Sequence, residues 1–185
     1  FRTLLPPASM PAALARMYRD PVGYPVYSAV HLAYAAEGEL PFGGTCAIPI
    51  RALQIGGEEY KRLVLREFSH EPGYAPAGST VVQVLCCPHA PAARGRIEAR
   101  RDTPEEYNAR KEALAAEVAE RICDFFPSLA GKLRKLDIWT PATYHRYLGS
   151  HLGAFMSFAL TGKRLPLPVS ITPRGVRGVF LAGQW

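Results

Sequence analysis

TPEEYNARKEALAAEVAERICDFFP, residues 103–127, decides how this chain folds. Thr103 stands where a helix cap belongs, Pro104 suits the first helical position, and Glu106 completes a capping box. Behind that start, Tyr107, Leu114, Val118, Ile122 and Phe125 recur at helical spacing, with charges elsewhere. Phe126-Pro127 ends the run, because a residue before proline is pushed out of the helical region. At 3.6 residues per turn the helix is about six turns long. One of its faces is apolar and needs a layer to lie on.

The rest of the chain supplies that layer as strands. Val26–Ala36 alternates Val26, Ser28, Val30, Leu32 and Tyr34 against Tyr27, Ala29, His31 and Ala33, a strand with both faces at least half buried. Cys46–Ile50 is a short apolar strand interrupted by Pro49. Lys61–Ser69 and Ser79–Cys87 alternate around the loop His70–Gly78, which predicts a long antiparallel hairpin. Lys132–Trp139 is a one-sided strand. Thr140-Pro141 repeats the cap-plus-proline start and opens a short helix through Tyr144 and Tyr147 that Gly149 breaks. Leu14–Tyr18 and Leu152–Leu160 are read as further short helices, Arg94–Asp102 as an exposed polar stretch, and Val176–Ala182 as a closing strand. The order predicts an α+β fold: a mainly antiparallel sheet with one long helix (about 103–126) packed on it, plus short helices near the C-terminus.

Composition narrows the function. The chain has 185 residues, 48% hydrophobic and 21% charged, which suits one globular domain. The net charge of +6 gathers in Arg94, Arg96, Arg100 and Arg101 and in Lys132, Arg134 and Lys135. Aromatic residues are not interleaved with these, so a solvated basic face is expected and no nucleic-acid partner. Attraction to acidic lipid head groups is the second reading, giving a cytoplasmic protein or one peripheral at the membrane. Cys46, Cys86, Cys87 and Cys123 form no C-x-x-C pair and are expected to be buried free thiols in a reducing compartment. The charge-free run 147–162 is too short and too broken by glycine to span a bilayer. The chain opens on Phe1 without a secretory pattern and stops at Trp185 just after an apolar run, so a segment of a longer protein is expected.

Neither a dinucleotide glycine fingerprint, a P-loop, a G-x-S-x-G elbow nor an H-E-x-x-H pair occurs. His31, His70, His89, His145 and His151 are scattered, so each is expected to be structural or on the surface, and no metal site is expected. The unusual stretch is 140–185. TPATYHRYLG (140–149), then Gly153 with an apolar run behind it, Thr172-Pro173, and VFLAGQW (179–185) together resemble the C-terminal part of the phytoene desaturase, carotenoid isomerase and retinol saturase family. These are FAD-dependent oxidoreductases. The helix ending at Phe126-Pro127 and EPGYAPAG (71–78) before a Val-rich strand fit as well, so the resemblance covers most of residues 26–185.

The resemblance implies a substrate-binding domain at 1–172 and, at 173–185, the return strand toward a FAD-binding domain of the same protein that lies outside this chain. It implies hydride transfer between FAD and an apolar, carotenoid- or isoprenoid-like small molecule. Tyr144, Arg146 and Tyr147 would then touch substrate, and Gly149, Gly153, Gly183 and Gln184 would lie against FAD. The plain alternatives are that Tyr144 and Tyr147 are core aromatics, Arg146 an ion-pair partner, and Gly149 a helix terminator. Val30, Leu32, Val82 and Val84 could line an apolar tunnel, but an ordinary core is the favoured reading. FAD belongs to the full-length parent enzyme; the segment alone is expected to hold none and to be inactive. A stand-alone apolar-ligand binding module and part of a flavin amine oxidase remain open. So does a homodimer, because Leu148, Leu152, Phe155, Met156 and Leu160 recur at helical spacing and would otherwise leave an apolar patch.

Overall fold

Five strands make one antiparallel sheet in the computed structural model, which describes residues 5–71, 73–88, 90–159 and 168–182, with residues 90–93 by backbone alone. They are β1 (Val30–Glu37), β2 (Thr45–Ile55), β3 (Glu58–Glu67), β4 (Ser79–Cys86) and β5 (Leu133–Trp139), in the order β2-β3-β4-β1-β5. Four α-helices accompany them among the described residues: α1 (Ala12–Arg19), α2 (Ala90–Asp102), α3 (Pro104–Phe125) and α4 (Pro141–Leu148). The class is α+β, with the long helix lying on the sheet.

The core forms where α3 meets one face of that sheet. Val30, Leu32 and Tyr34 of β1, Val82 and Val84 of β4, and Leu63 and Leu65 of β3 are sealed against Leu114, Ala115, Val118 and Ile122. The Tyr34 hydroxyl, buried in this layer, donates to the Ala115 carbonyl at 2.8 Å and is matched there. Val30, Leu32, Val82 and Val84 are therefore ordinary core, and no tunnel runs between them. Burial of such side chains stabilises by roughly 1.5–3 kcal/mol each.

Several boundaries differ from expectation, each for a local reason. β2 runs on through Pro49 because it is an edge strand, where a residue without an N–H is tolerated, and its pairing with β3 shifts register between Pro49 and Leu53. The longest hairpin is accordingly β2–β3 about Gly56-Gly57; β3 and β4 pair only over Val64–Glu67. The polar stretch before Thr103 is the helix α2, and it captures the cap expected for α3. The Thr103 hydroxyl donates back to the Ala99 carbonyl at 3.2 Å, while Glu106 pairs with Arg110 at 2.5 Å, so that capping box is not made. The second one is: Thr143 Oγ1 accepts from the Thr140 N–H at 3.1 Å at the start of α4.

Leu152–Leu160 is not a helix over its described residues. A 3₁₀ turn at His151–Gly153 is followed by a stretch whose backbone bonds to 25–27 instead: Phe155 N–H donates to the Tyr27 carbonyl at 2.9 Å and Ala159 N–H to the Pro25 carbonyl at 2.6 Å. Val26 and Phe158 bridge there, and with Leu14, Met17, Tyr24 and Ala154 they form a second, smaller core. Val176–Ala182 is a bend and irregular chain rather than a strand, with Gly178 at positive φ and Leu181 N–H donating to the Ile171 carbonyl at 2.6 Å. The four cysteines are free, but only Cys86 is buried as expected: Cys46 and Cys123 are half-buried, and Cys87, just past the end of β4, is exposed. Among the described residues no helix is long and apolar enough to cross a membrane.

Candidate functional site

The face of the sheet away from α3 ends in a cluster of rings. His31 projects from β1 opposite Trp139 of β5, and Tyr144 of α4 and Phe155 close over it. The His31 ring stands edge-on to Phe155 at 5.1 Å between centroids and to Trp139 at 5.8 Å. Its Nδ1 is hydrogen-bonded to the Tyr144 hydroxyl. The pair comes together because the capped start of α4 follows β5 directly, and β5 lies beside β1.

Burial decides the protonation of the pair. It pulls the His31 imidazole below its ordinary 6.5, favouring the neutral ring. It pushes the Tyr144 phenol up to about 12, with the nearby Cys87 thiol adding to the rise. Both partners are therefore uncharged at neutral pH, and we assign the phenol as donor to Nδ1, which leaves the ring proton on Nε2. An uncharged donor–acceptor pair among aromatic rings suits a molecule that is mostly hydrocarbon with at most one polar group.

Phe155 also forms part of the wall of a cleft of about 690 Å³. One side is the end of α4 and the turn after it, Leu148–His151; the other is Val179–Ala182; Leu14 and Tyr18 of α1 contribute as well. Two stretches distant in sequence thus face one space, and both belong to the pattern that carries the resemblance. No protein-family model, curated protein or solved structure matches this chain.

The named candidates divide. Tyr144 joins the His31 pair, and Gly149 lines the cleft while ending α4 in the left-handed region at φ 61°. Gly153 has a packing reason for being glycine: at φ 63°, a Cβ there would meet the Pro141 carbonyl oxygen at 2.0 Å. Arg146 and Tyr147 lie on the exposed side of α4, the guanidinium over the ring at 5.1 Å, and are not brought to the cleft. Gly183 and Gln184 lie outside the described residues. His31 is the member that sequence reasoning set aside; its one signal was its place on the second, half-buried face of an otherwise apolar strand.

The fit to FAD is uneven. The apolar cleft wall suits a flat ring. A pyrophosphate, however, needs unspent backbone donors, and the N–H groups of Gly149, Gly153, Ala154 and Phe155 are all engaged within the chain, with the His145, Ser150, His151 and Tyr27 carbonyls. Ser150 offers a buried hydroxyl without a hydrogen-bond partner beside the cleft, which is one polar group. Those four N–H groups are therefore not open to a pyrophosphate. Among them no group of His, Cys, Asp and Glu is arranged to hold a metal ion.

Proposed function

We propose that this chain is the substrate-binding part of a flavin-dependent oxidoreductase acting on an apolar, isoprenoid-like molecule, with hydride passing to or from FAD. The observation that carries the reading is the apolar cleft shared by Leu148–His151 and Val179–Ala182, with the neutral His31–Tyr144 pair behind Phe155. In this division of work the chain orients the hydrocarbon and excludes water, and the redox chemistry is the cofactor's. The flavin's pyrophosphate is held by another part of the parent protein. Tyr144 orients a polar end of the substrate if it has one.

A non-redox apolar-ligand module is the second reading, and the spent backbone donors around the cleft favour it. The two separate by experiment. Titration with an isoprenoid alcohol, followed by Trp139 fluorescence with Trp139→Phe to assign the signal, is expected to saturate and to be lost in Phe155→Glu. Absence of a saturable response sinks both readings. The oxidoreductase reading then requires that the parent protein, carrying bound flavin, bleaches on addition of the same ligand class or its reduced form. A parent with no flavin leaves only the binding module. A stoichiometric yellow flavin complex of this chain alone overturns the division of work proposed here.

A further inference from the structure

A second cleft, of about 530 Å³, lies away from the ring cluster, between the Gly56-Gly57 turn of the β2–β3 hairpin, α2 and α3. Arg96 of α2 lines it with Gly95, Ala99, Tyr107 and Leu114. The side chain is half-buried, and every Asp and Glu of the chain is among the described residues, yet none pairs with it. The other charges of this cleft are spoken for: Arg110 is held by Glu106 at 2.5 Å and Glu117 by Arg121 at 3.1 Å. The groups acting on the Arg96 charge are the Tyr107 and Tyr60 phenols, neither of them a carboxylate.

A guanidinium removed from water without a counter-ion is costly, and its loss of hydration lowers its proton affinity. Arginine does not answer that cost by deprotonating. It is relieved by an anion, and the guanidinium fork fits the two oxygens of a carboxylate or phosphate. Apart from those paired charges and Gln54 the lining is small or apolar, with the Tyr107 ring and Ala99 on its walls, and backbone is accessible at the glycine turn and on α2: a Cβ at Gly57 or Gly95 would meet nothing within 4 Å. We infer that this cleft binds a small organic oxyanion, a carboxylate or phosphate carried on an apolar body, through Arg96. The inference is independent of the flavin reading.

The test is an amide NMR titration of the whole chain with benzoate, phenyl phosphate and inorganic phosphate, at constant ionic strength set by NaCl. Saturable shifts at Gly56, Gly57 and Gly95 are expected with at least one of the aryl anions, more tightly than with inorganic phosphate. Preference between benzoate and phenyl phosphate assigns the head group. Arg96→Gln is expected to weaken binding by about tenfold or more, the worth of a charge-assisted hydrogen bond. Arg62→Gln, an exposed arginine on β3, is expected to leave it unchanged. Arg96→Lys keeps the charge without the fork and is expected to fall between the two. Should Arg96→Gln not fold, wild type and Arg96→Lys still decide. Shifts that never saturate, that NaCl alone reproduces, or that persist equally in the Arg96 variants overturn the proposal.

Discussion

Two neighbouring cross-strand rows of the one sheet have opposite fates. Cys46, Leu65, Val84, Leu32 and Ile138 follow one another across β2, β3, β4, β1 and β5 on the face that α3 covers. Ala47, Val64, Leu85, His31 and Trp139 follow one another in the next row, on the other face. In the first row Leu32, Leu65 and Val84 are wholly buried; in the second Val64 and Trp139 are exposed and His31 and Leu85 half-buried. A shift of one residue along a strand thus separates closed core from open apolar wall. The first face is finished within the chain, whereas the second mixes this apolar row with Arg62, Arg66 and Gln83 and, among the described residues, is open except where Tyr144 and Phe155 close over His31.

Truncating one leucine from each row puts the largest expected effect on that comparison. Leu32→Ala should cost about 2–5 kcal/mol in urea unfolding, the range for a fully buried leucine. Leu85→Ala, with half the burial to lose, should cost less than half of what Leu32→Ala does. Equal losses would mean that the second face is also closed core, and the open-wall description would fail.

Tyr34→Phe and Tyr144→Phe make the same deletion on the two faces. The Tyr34 hydroxyl donates to a buried helix carbonyl, so its loss should lower stability by about 1 kcal/mol, the usual worth of such a bond. Tyr144→Phe leaves His31 Nδ1 without its partner, but on a half-open surface where water can replace it. A smaller loss is expected by the same unfolding measurement, together with a change in isoprenoid-alcohol binding that Tyr34→Phe does not produce. If both variants lose stability equally and bind alike, Tyr144 is a structural tyrosine.

The covered face was legible in the sequence and the open one much less so. Alternation in β1 and β4 and the apolar stripe of α3 set the core, because period two and period 3.6 are properties of single elements. The short helix at Thr140 was legible for the same local reason. What alternation does not encode is which face α3 takes; it takes the one that carries Val30, Leu32, Val82 and Val84, which are core as the favoured reading had them. The segment after Gly149 misled because Phe155, Met156 and Leu160 keep helical spacing while the backbone of Phe155 and Ala159 finds acceptors at Tyr27 and Pro25, far away in sequence. His31 was missed because its partner Tyr144 is contributed by α4, and a lone histidine on a strand carries no spacing signal.

The smallest expected effect is the pH response of the open face. Burial lowers the His31 pKa in the folded state, so between the folded value and the ordinary 6.5 the unfolded chain binds more protons than the native one. Stability from the neutral ring is therefore fully present above pH 6.5 and declines as the pH falls through 6.5 toward the lowered folded value. Tyr144 works in the opposite direction: its folded pKa of about 12 exceeds the ordinary 10, so its contribution is complete below pH 10 and is lost as the pH rises from 10 toward 12. The check is the urea midpoint of wild type, His31→Gln and Tyr144→Phe across pH. His31→Gln should flatten part of the acid decline, and Tyr144→Phe part of the alkaline one. Tyr34, whose phenol burial also raises, should retain its share of the alkaline loss in Tyr144→Phe, since it belongs to the covered face. An acid limb unchanged by His31→Gln would mean that the ring is as well hydrated folded as unfolded, and the two faces would differ in packing alone.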